Sequence, residues 1–211
     1  MSMKIKKSVA FIIIAVCMVC LLGSDVNCAT KGSTNLTKSV KVKTKKGRKL
    51  KDSEIKALSS STINMFDYIL ENEKEDANVL ISPTSILYAF GMAENGAKGT
   101  TKSQLEKVVN GGIKSADINK ILASTKKRMM KSEKVKWNVA NSVWFINRKD
   151  VGVKKAFLKK VKSYYGAEIY KAPFNNKTKK EINAWVKKNT NKMIPKIIND
   201  ISRDDVMYLI N

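Results

Sequence analysis

The sequence predicts a mixed α/β (α+β) domain with one hydrophobic core over residues 53–211. Stretches with helical periodicity alternate along this region with short apolar runs that are typical of strands. The composition is that of a globular protein, with 43% hydrophobic and 28% charged residues. No internal repeat is visible, so these elements are expected to share one core.

Two segments precede the predicted domain. Residues 1–28 are typical of an export signal, because lysines are followed by an apolar stretch from Val9 to Leu22 that is short for a membrane span. The signal predicts a secreted protein with no transmembrane helix in the mature chain. Cys28 at its end either carries a lipid anchor or is left unmodified. Residues 29–52 are polar and lysine-rich, and predict a basic disordered tether because they bury too little to offset their ordering entropy.

The domain begins with a predicted helix over residues 53–72. Its apolar residues form one helical stripe: Ile55, Leu58, Ile63, Phe66, Ile69 and Leu70. The run 78–81 predicts a short buried strand, after which Ser82 caps a second helix with Pro83 in its first turn. This helix is apolar on nearly every side, which predicts a central position. We expect Gly96 to end it in the left-handed conformation.

Three of the later helices are predicted from residues that can cap a first turn, and a fourth from a glycine that can end its last turn. The capping residues are Thr101 with Gln104, Ser115, and Thr178 with Glu181. A further helix is expected to end at Gly166. Strict alternation over residues 135–146 predicts a strand with Trp137 and Trp144 in the core, and shorter strands are expected at 167–170 and 206–210.

Missing residue types exclude several classes of enzyme. All three cysteines lie in the first 28 residues, so the predicted domain has no thiol, disulfide or cysteine metal site. Histidine is absent, and with it the usual general base and the commonest zinc ligand. We therefore predict that the protein is not an enzyme, with no catalytic residue, no metal and no cofactor.

The net charge of +23 favours polyanionic partners such as acidic glycans or cell-envelope polymers. The end of the helix predicted over residues 115–131 concentrates this charge in one cluster: Lys126, Lys127, Arg128, Lys131, Lys134 and Lys136. Two interpretations stand: these cations stabilise the helix C-terminus, or they bind a polyanion. The export signal and the lack of a recognition motif argue against nucleic acid.

Three blocks of residues occur in a fixed order along the chain. They are Ser82-Pro83-x-Ser85-Ile86 with Gly96-Ala97-x-Gly99-x-Thr101, Ala140-Asn141 with Trp144-Phe145, and Tyr165-Gly166-Ala167-Glu168 through Phe174 to Ile182-Asn183-x-Trp185. Together they resemble the serpin family of serine protease inhibitors, over roughly residues 55–211. The resemblance implies the N-terminal helices and the first strands of the main sheet of a serpin-like fold, and a serine protease as partner.

The resemblance also implies a mechanism without catalysis. A bait loop near the C-terminal end is cleaved by the protease and inserts into the main sheet as a new strand. Ser82, Ser85 and Asn211 match the family's shutter, the polar cluster where this sheet parts, although both serines also suit helix capping. The bait loop lies beyond Asn211, so we expect a truncated serpin domain over residues 53–211 that is non-inhibitory as given. The alternative is a basic cell-surface or polyanion-binding protein without inhibitory activity.

Overall fold

The computed structural model describes residues 32–74, 78–131, 133, 135 and 137–211. The helices of this part are α1 (Asp52–Leu70), α2 (Pro83–Glu94), α3 (Gly99–Val108), α4 (Ser115–Met129), α5 (Lys155–Tyr165) and α6 (Asn176–Asn189). The strands are β1 (Thr34–Asn35), β2 (Ser142–Ile146), β3 (Glu168–Ala172) and β4 (Met207–Ile210). They form a sheet in the order β1-β3-β2-β4. The predicted mixed α/β class is confirmed, and the export signal with Cys28 lies outside the described residues.

Most of the sheet and helix α6 belong to one compact unit, and helices α1 to α5 belong to a second. In the first unit, β1 pairs antiparallel with β3, with Thr34 opposite Lys171. Strands β3 and β4 confirm the short strands predicted near residues 167–170 and 206–210. Within the described residues, no helix is both long enough and apolar enough to cross a membrane.

Strand β2 is buried on both faces. Its three central residues are at most 5% exposed, so the alternation predicted over residues 135–146 does not describe it. A strand covered on both sides needs apolar residues in succession. Trp144 stacks flat on Tyr170 of β3, with ring centroids 3.9 Å apart, whereas Trp137 precedes the strand and is 48% exposed. The predicted core position is thus confirmed for Trp144 and wrong for Trp137.

Helix α6 is capped by a residue that the sequence did not indicate. The side chain of Asn175 accepts hydrogen bonds from the first-turn amides, including that of Thr178 at 3.1 Å. The predicted capping box of Thr178 with Glu181 is therefore wrong, because Thr178 is buried inside the helix. Glu181 instead accepts hydrogen bonds from the amide of Ser33, at 3.0 Å, and from its hydroxyl.

Helix α2 has the central position in the second unit that its apolar surface predicted. It packs against α3, α4 and α5. The Tyr88 hydroxyl donates a hydrogen bond of 2.7 Å to the Leu122 carbonyl of α4. The Tyr88 ring meets the Tyr165 ring of α5 edge-on at 6.1 Å. Both tyrosines are fully buried, so α2 joins the neighbouring helices through aromatic and polar contacts together.

Two predicted helix ends have different outcomes. Helix α2 ends at Glu94, and Asn95 follows in the right-handed conformation. Gly96 does not have a positive φ, so its predicted left-handed role is wrong. Gly166 ends α5 with a φ of 62°, and that prediction is confirmed.

Two predicted helix starts are also corrected. Helix α3 begins at Gly99, so Thr101 and Gln104 lie inside it and form no capping box. Helix α4 does begin at Ser115, but the Ser115 hydroxyl does not cap it. Its amide and hydroxyl both donate to the Glu106 carboxylate of α3. The start of α4 therefore depends on a tertiary contact rather than on an adjacent residue.

The strand predicted over residues 78–81 is not found. This run pairs with none of the four described strands, and Leu80 is 97% exposed. A strand requires a hydrogen-bonded neighbour, and the described part of the chain provides none here. Ile55 and Ile63 of α1 are likewise more than 45% exposed, so the apolar stripe of α1 is only partly covered.

Residues 37–51, here called the N-terminal segment, lie within the predicted tether and contact helix α5. Val40 is buried, and its carbonyl accepts a hydrogen bond of 2.8 Å from the Lys162 amine of α5. The Lys45 amide donates to the Ser163 carbonyl at 3.1 Å. The sequence pattern contained no periodic apolar signal because these contacts use backbone groups and single side chains.

Candidate functional site

The two serines matched to the shutter lie at the start of α2. Ser82 is the N-cap, and its oxygen accepts a hydrogen bond of 3.3 Å from the Ser85 amide. Its hydroxyl also donates to the Ser85 hydroxyl at 3.0 Å. Pro83 occupies the first helical position, where it loses no hydrogen bond. The predicted capping role of Ser82 is confirmed, and the pair lies at the surface rather than in the core.

Asn211, the third matched residue, bonds elsewhere. Its side-chain amide donates to the Asn141 side-chain carbonyl at 2.9 Å and to the Ala140 carbonyl at 3.4 Å. Among the described residues, no hydrogen bond joins Asn211 to Ser82 or Ser85. The structure therefore separates the two matched serines, which bond to each other, from Asn211, which bonds to Asn141.

Asn141, the partner of Asn211, was not among the site residues predicted from the sequence. It is buried just before β2, and its side-chain amide donates to the Tyr165 carbonyl at 2.9 Å. Its own backbone carbonyl accepts from the Glu168 amide at 2.9 Å. The available signal was its place in the Ala140-Asn141 block, where a buried asparagine requires polar partners.

The Tyr165 carbonyl is the point at which this network meets the basic cluster. It accepts a hydrogen bond of 3.2 Å from the Lys126 amine as well as the one from Asn141. Tyr165 is the last residue of α5, where backbone carbonyls lack partners within the helix. Lys126 therefore stabilises the C-terminus of α5. The sequence had predicted this kind of stabilisation only for the C-terminus of α4, the helix that contains Lys126.

The basic cluster is divided by this contact. Burial lowers the pKa of Lys126 below its usual range, whereas Lys127, Arg128 and Lys131 are exposed. Lys134 and Lys136, the other predicted members, lie outside the described residues. The exposed surface at the end of α4, here called the α4 basic surface, thus consists of Lys127, Arg128 and Lys131.

The hydroxyl of Tyr165 completes the polar network at α2. It donates a hydrogen bond of 2.6 Å to the Asn119 side-chain carbonyl of α4. Asn119 also exchanges hydrogen bonds of 2.8 and 3.0 Å with Asn95, which follows α2. Burial raises the pKa of Tyr165 well above its usual range, so its hydroxyl remains a donor. The network fixes the positions of helices and contains amides and hydroxyls suited to structural support.

No group of three or more histidine, cysteine, aspartate or glutamate side chains could hold a metal ion in the described part of the chain. The candidate functional features among the described residues are two polar side-chain pairs and one basic surface. They are the serine pair at α2, the Asn211–Asn141 pair and the α4 basic surface.

A family model described as Serpin (serine protease inhibitor) matches residues 56–211. Glia-derived nexin from Homo sapiens is 32% identical over 152 residues, which are 71% of this chain and 37% of that protein. Neuroserpin from Homo sapiens is 29% identical over 157 residues, which are 72% of this chain and 38% of that protein. The chain thus spans well under half the length of these relatives.

The fold is similar to that of solved structures. The crystal structure of the thermophilic serpin tengpin in its native state matches 85% of this chain and 45% of its own, with a TM-score of 0.75 and 36% identity. A structure of a loop C-sheet serpin polymer matches 81% of this chain and 44% of its own, with a TM-score of 0.74 and 37% identity. The described helices and sheet therefore share the arrangement of these proteins over most of the chain.

Proposed function

Because the chain belongs to the serpin family, we propose that it provides the N-terminal framework of a secreted serine protease inhibitor. The observation that carries this proposal is the match to native tengpin over 85% of the chain. The proposed partner is a serine protease, and the proposed role is mechanical support for strand insertion rather than catalysis. The resemblance assigns the bait function to a loop that the 211 residues do not contain.

We propose accordingly that the 211 residues do not trap a protease by themselves. The experiment mixes the purified chain with serine proteases of trypsin-like, chymotrypsin-like and elastase-like specificity. Denaturing gel electrophoresis then shows whether a covalent complex has formed. We expect the gel to show the free protease and a chain that is either intact or fully cleaved. A complex that resists denaturant would overturn this proposal.

The proposed inhibitory role is tested by sequencing the coding DNA downstream of the codon for Asn211. If the reading frame continues and encodes apolar strands and a loop of small residues, the longer protein is expressed. We expect this longer protein to form a denaturant-resistant complex with at least one of the same proteases. The matched control deletes the loop. Complex formation that persists without the loop contradicts the insertion mechanism.

The proposed shutter rests on the hydrogen bonds of Ser82 and Asn211 with their neighbours. Asn211 follows β4, and its bond to Asn141 ties the end of that strand to the start of β2. We propose that this pair resists separation of the strands and that the serine pair fixes the start of α2. Replacement of Asn211 by Ala in the longer protein should increase spontaneous loop insertion, measured as loss of inhibitory titre on incubation. An unchanged rate of loss contradicts the proposal.

A second candidate function follows from the net charge of +23 and from the α4 basic surface. It is polyanion binding at the cell surface without inhibition. We expect retention on a heparin column that weakens steeply with salt. The double variant Lys127→Glu with Arg128→Glu should elute earlier than the matched control Lys159→Glu with Lys160→Glu, which changes the net charge equally on α5. Equal elution of both variants means that net charge alone causes the retention.

Export places the proposed function outside the cell. The proposal depends on residues 1–28, and a lipid on Cys28 would hold the protein at a membrane surface. Intact-mass measurement of the exported protein distinguishes the two alternatives for this cysteine. A start at or beyond residue 29 without added mass rejects the lipid anchor.

A further inference from the structure

A buried carboxyl group lies at the end of α2 with incomplete hydrogen bonding. Glu94 is 1% exposed, and its Oε2 accepts a hydrogen bond of 2.9 Å from the Asn110 side-chain amide. Asn110 is fully buried in the connection between α3 and α4, and its amide also donates to the Ile113 carbonyl at 3.2 Å. Glu94 Oε1 and Asn110 Oδ1 have no hydrogen-bond partner within the described residues. Both unsatisfied atoms therefore belong to one bonded pair of side chains.

An ionised Glu94 would be poorly stabilised in this position. It is the last residue of α2, where the helix dipole disfavours negative charge. Two charged side chains of α3 face it, Glu106 and Lys102. The other facing groups are the Asn110 side chain and the hydroxyls of Ser115 and Tyr165. Burial raises the pKa of the Glu94 carboxyl, and the hydrogen bond from Asn110 only partly opposes this shift. Two buried oxygen acceptors without a hydrogen-bond donor are also costly.

We propose that Glu94 is protonated in the folded protein and forms a cyclic acid–amide pair with Asn110. The Asn110 amide donates to Glu94 Oε2, and the carboxyl proton on Oε1 donates to Asn110 Oδ1. One proton thereby satisfies both unpartnered atoms and removes the buried charge. The pair joins the end of α2 to the connection between α3 and α4.

A bound metal ion would account for the two unpartnered oxygens, Glu94 Oε1 and Asn110 Oδ1, less well than a proton does. The carboxylate that faces Glu94, that of Glu106, already accepts hydrogen bonds from the amide and hydroxyl of Ser115 and from Lys114. A cation at Glu94 would therefore find one carboxylate and one amide oxygen. Hard cations require more oxygen ligands than these.

The pair makes folding depend on pH in a definite direction. The folded-state pKa of Glu94 lies above its unfolded value, so its contribution is complete below the unfolded pKa. It is lost as pH rises through the folded pKa, because the folded state must then release the proton or bury a charge. Between these two pKa values, the folding equilibrium constant should fall about tenfold per pH unit from this group. The end of α2 and the connection around Asn110 would loosen first.

The test compares the whole chain with its Glu94→Gln variant by urea unfolding from about pH 5 to about pH 9. A glutamine can donate to Asn110 Oδ1 and accept from the Asn110 amide without titrating. We expect the variant to fold and to lose the part of the pH dependence that Glu94 causes. The matched control, Glu73→Gln at an exposed position, should retain the parent slope. A Glu94→Gln variant with the parent slope, or one that fails to fold, overturns the proposal.

A direct readout follows the side-chain carboxyl carbon of Glu94 by carbon-13 nuclear magnetic resonance. The resonance is assigned as the one absent from the Glu94→Gln spectrum. We expect it to remain at the protonated position above the pH at which ordinary glutamates titrate. A resonance that titrates with the exposed glutamates shows an ionised Glu94 and contradicts the acid–amide pair.

Discussion

The carboxylate of Glu106 caps helix α4 from the neighbouring helix by accepting two hydrogen bonds from Ser115. The amide and the hydroxyl of Ser115 each donate to Glu106 Oε1 at 2.9 Å. The Lys114 amine donates to the other carboxylate oxygen at 3.1 Å. Burial acts to raise the pKa of Glu106, but these donors outweigh it and the pKa is lowered. The ionised side chain therefore satisfies the first turn of a helix that begins nine residues later in the sequence.

Replacement of Glu106 by Ala should destabilise the protein because it leaves the buried Ser115 donors without an acceptor. We expect a loss of about 1–3 kcal/mol in the free energy of unfolding. Urea unfolding measures it. The neighbouring exposed residue supplies the control, since Lys107→Ala should change the free energy by about 0.5 kcal/mol or less. Similar losses for both variants would mean that the cap contributes nothing specific.

Arg48 joins the N-terminal segment to α1 and α4. Its guanidinium makes two hydrogen bonds with Glu54, at 2.6 and 2.8 Å, and one with Asp117 at 3.2 Å. The side-chain hydrogen bond from Arg48 is the main cause that lowers the pKa of Glu54 to about 2. We expect Arg48→Ala to lower the melting temperature at neutral pH, with Lys49→Ala at the exposed neighbouring position as the control.

The same pair predicts a pH dependence with a fixed sign. The folded-state pKa of Glu54 is depressed, so the stability from this contact is present above the ordinary value of 4.5 and is lost as pH falls toward about 2. The difference in melting temperature between the parent and Arg48→Ala should therefore shrink over this range. A difference that stays constant as the pH falls would show that the ion pair is not its source.

The two tryptophans of the predicted strand should respond differently to truncation. Trp144 is buried and stacked on Tyr170, so Trp144→Ala should cost about 3–5 kcal/mol through lost burial and a cavity. Trp137 is half-exposed, and Trp137→Ala should cost about 1 kcal/mol or less. Chemical denaturation followed by circular dichroism avoids dependence on tryptophan fluorescence. Equal losses would contradict the packing described here.

Lys126 and its neighbours on α4 should separate stability from polyanion binding. Lys126→Met removes the hydrogen bond to the Tyr165 carbonyl, and we expect a loss of about 1 kcal/mol in stability with little change in heparin retention. Lys127→Met removes an exposed charge, so we expect weaker heparin retention with little change in stability. If Lys126→Met weakens retention as much as Lys127→Met, the partly buried Lys126 also contacts the polyanion.

The sequence alone determined the family, the central position of α2 and the end of α5. These features depend on local patterns: an apolar surface all around one helix, a serine and proline at its start, and a glycine at the left-handed position of residue 166. Each pattern is complete within one turn or one helix. The backbone conformation at a helix start or end favours these residue types, and at Ser82 and Gly166 the tertiary structure did not override that preference.

Only the tertiary structure decided which polar groups meet. Glu106 caps α4 from the preceding helix, and Lys126 donates to the C-terminus of α5 instead of that of its own helix. The tertiary structure also decided the exposure of two tryptophans from one predicted strand: Trp144 is buried, whereas Trp137 is exposed. The physical reason is that burial and hydrogen bonding are properties of pairs of residues brought together from distant parts of the chain, whereas periodicity reports only which face of an element is apolar.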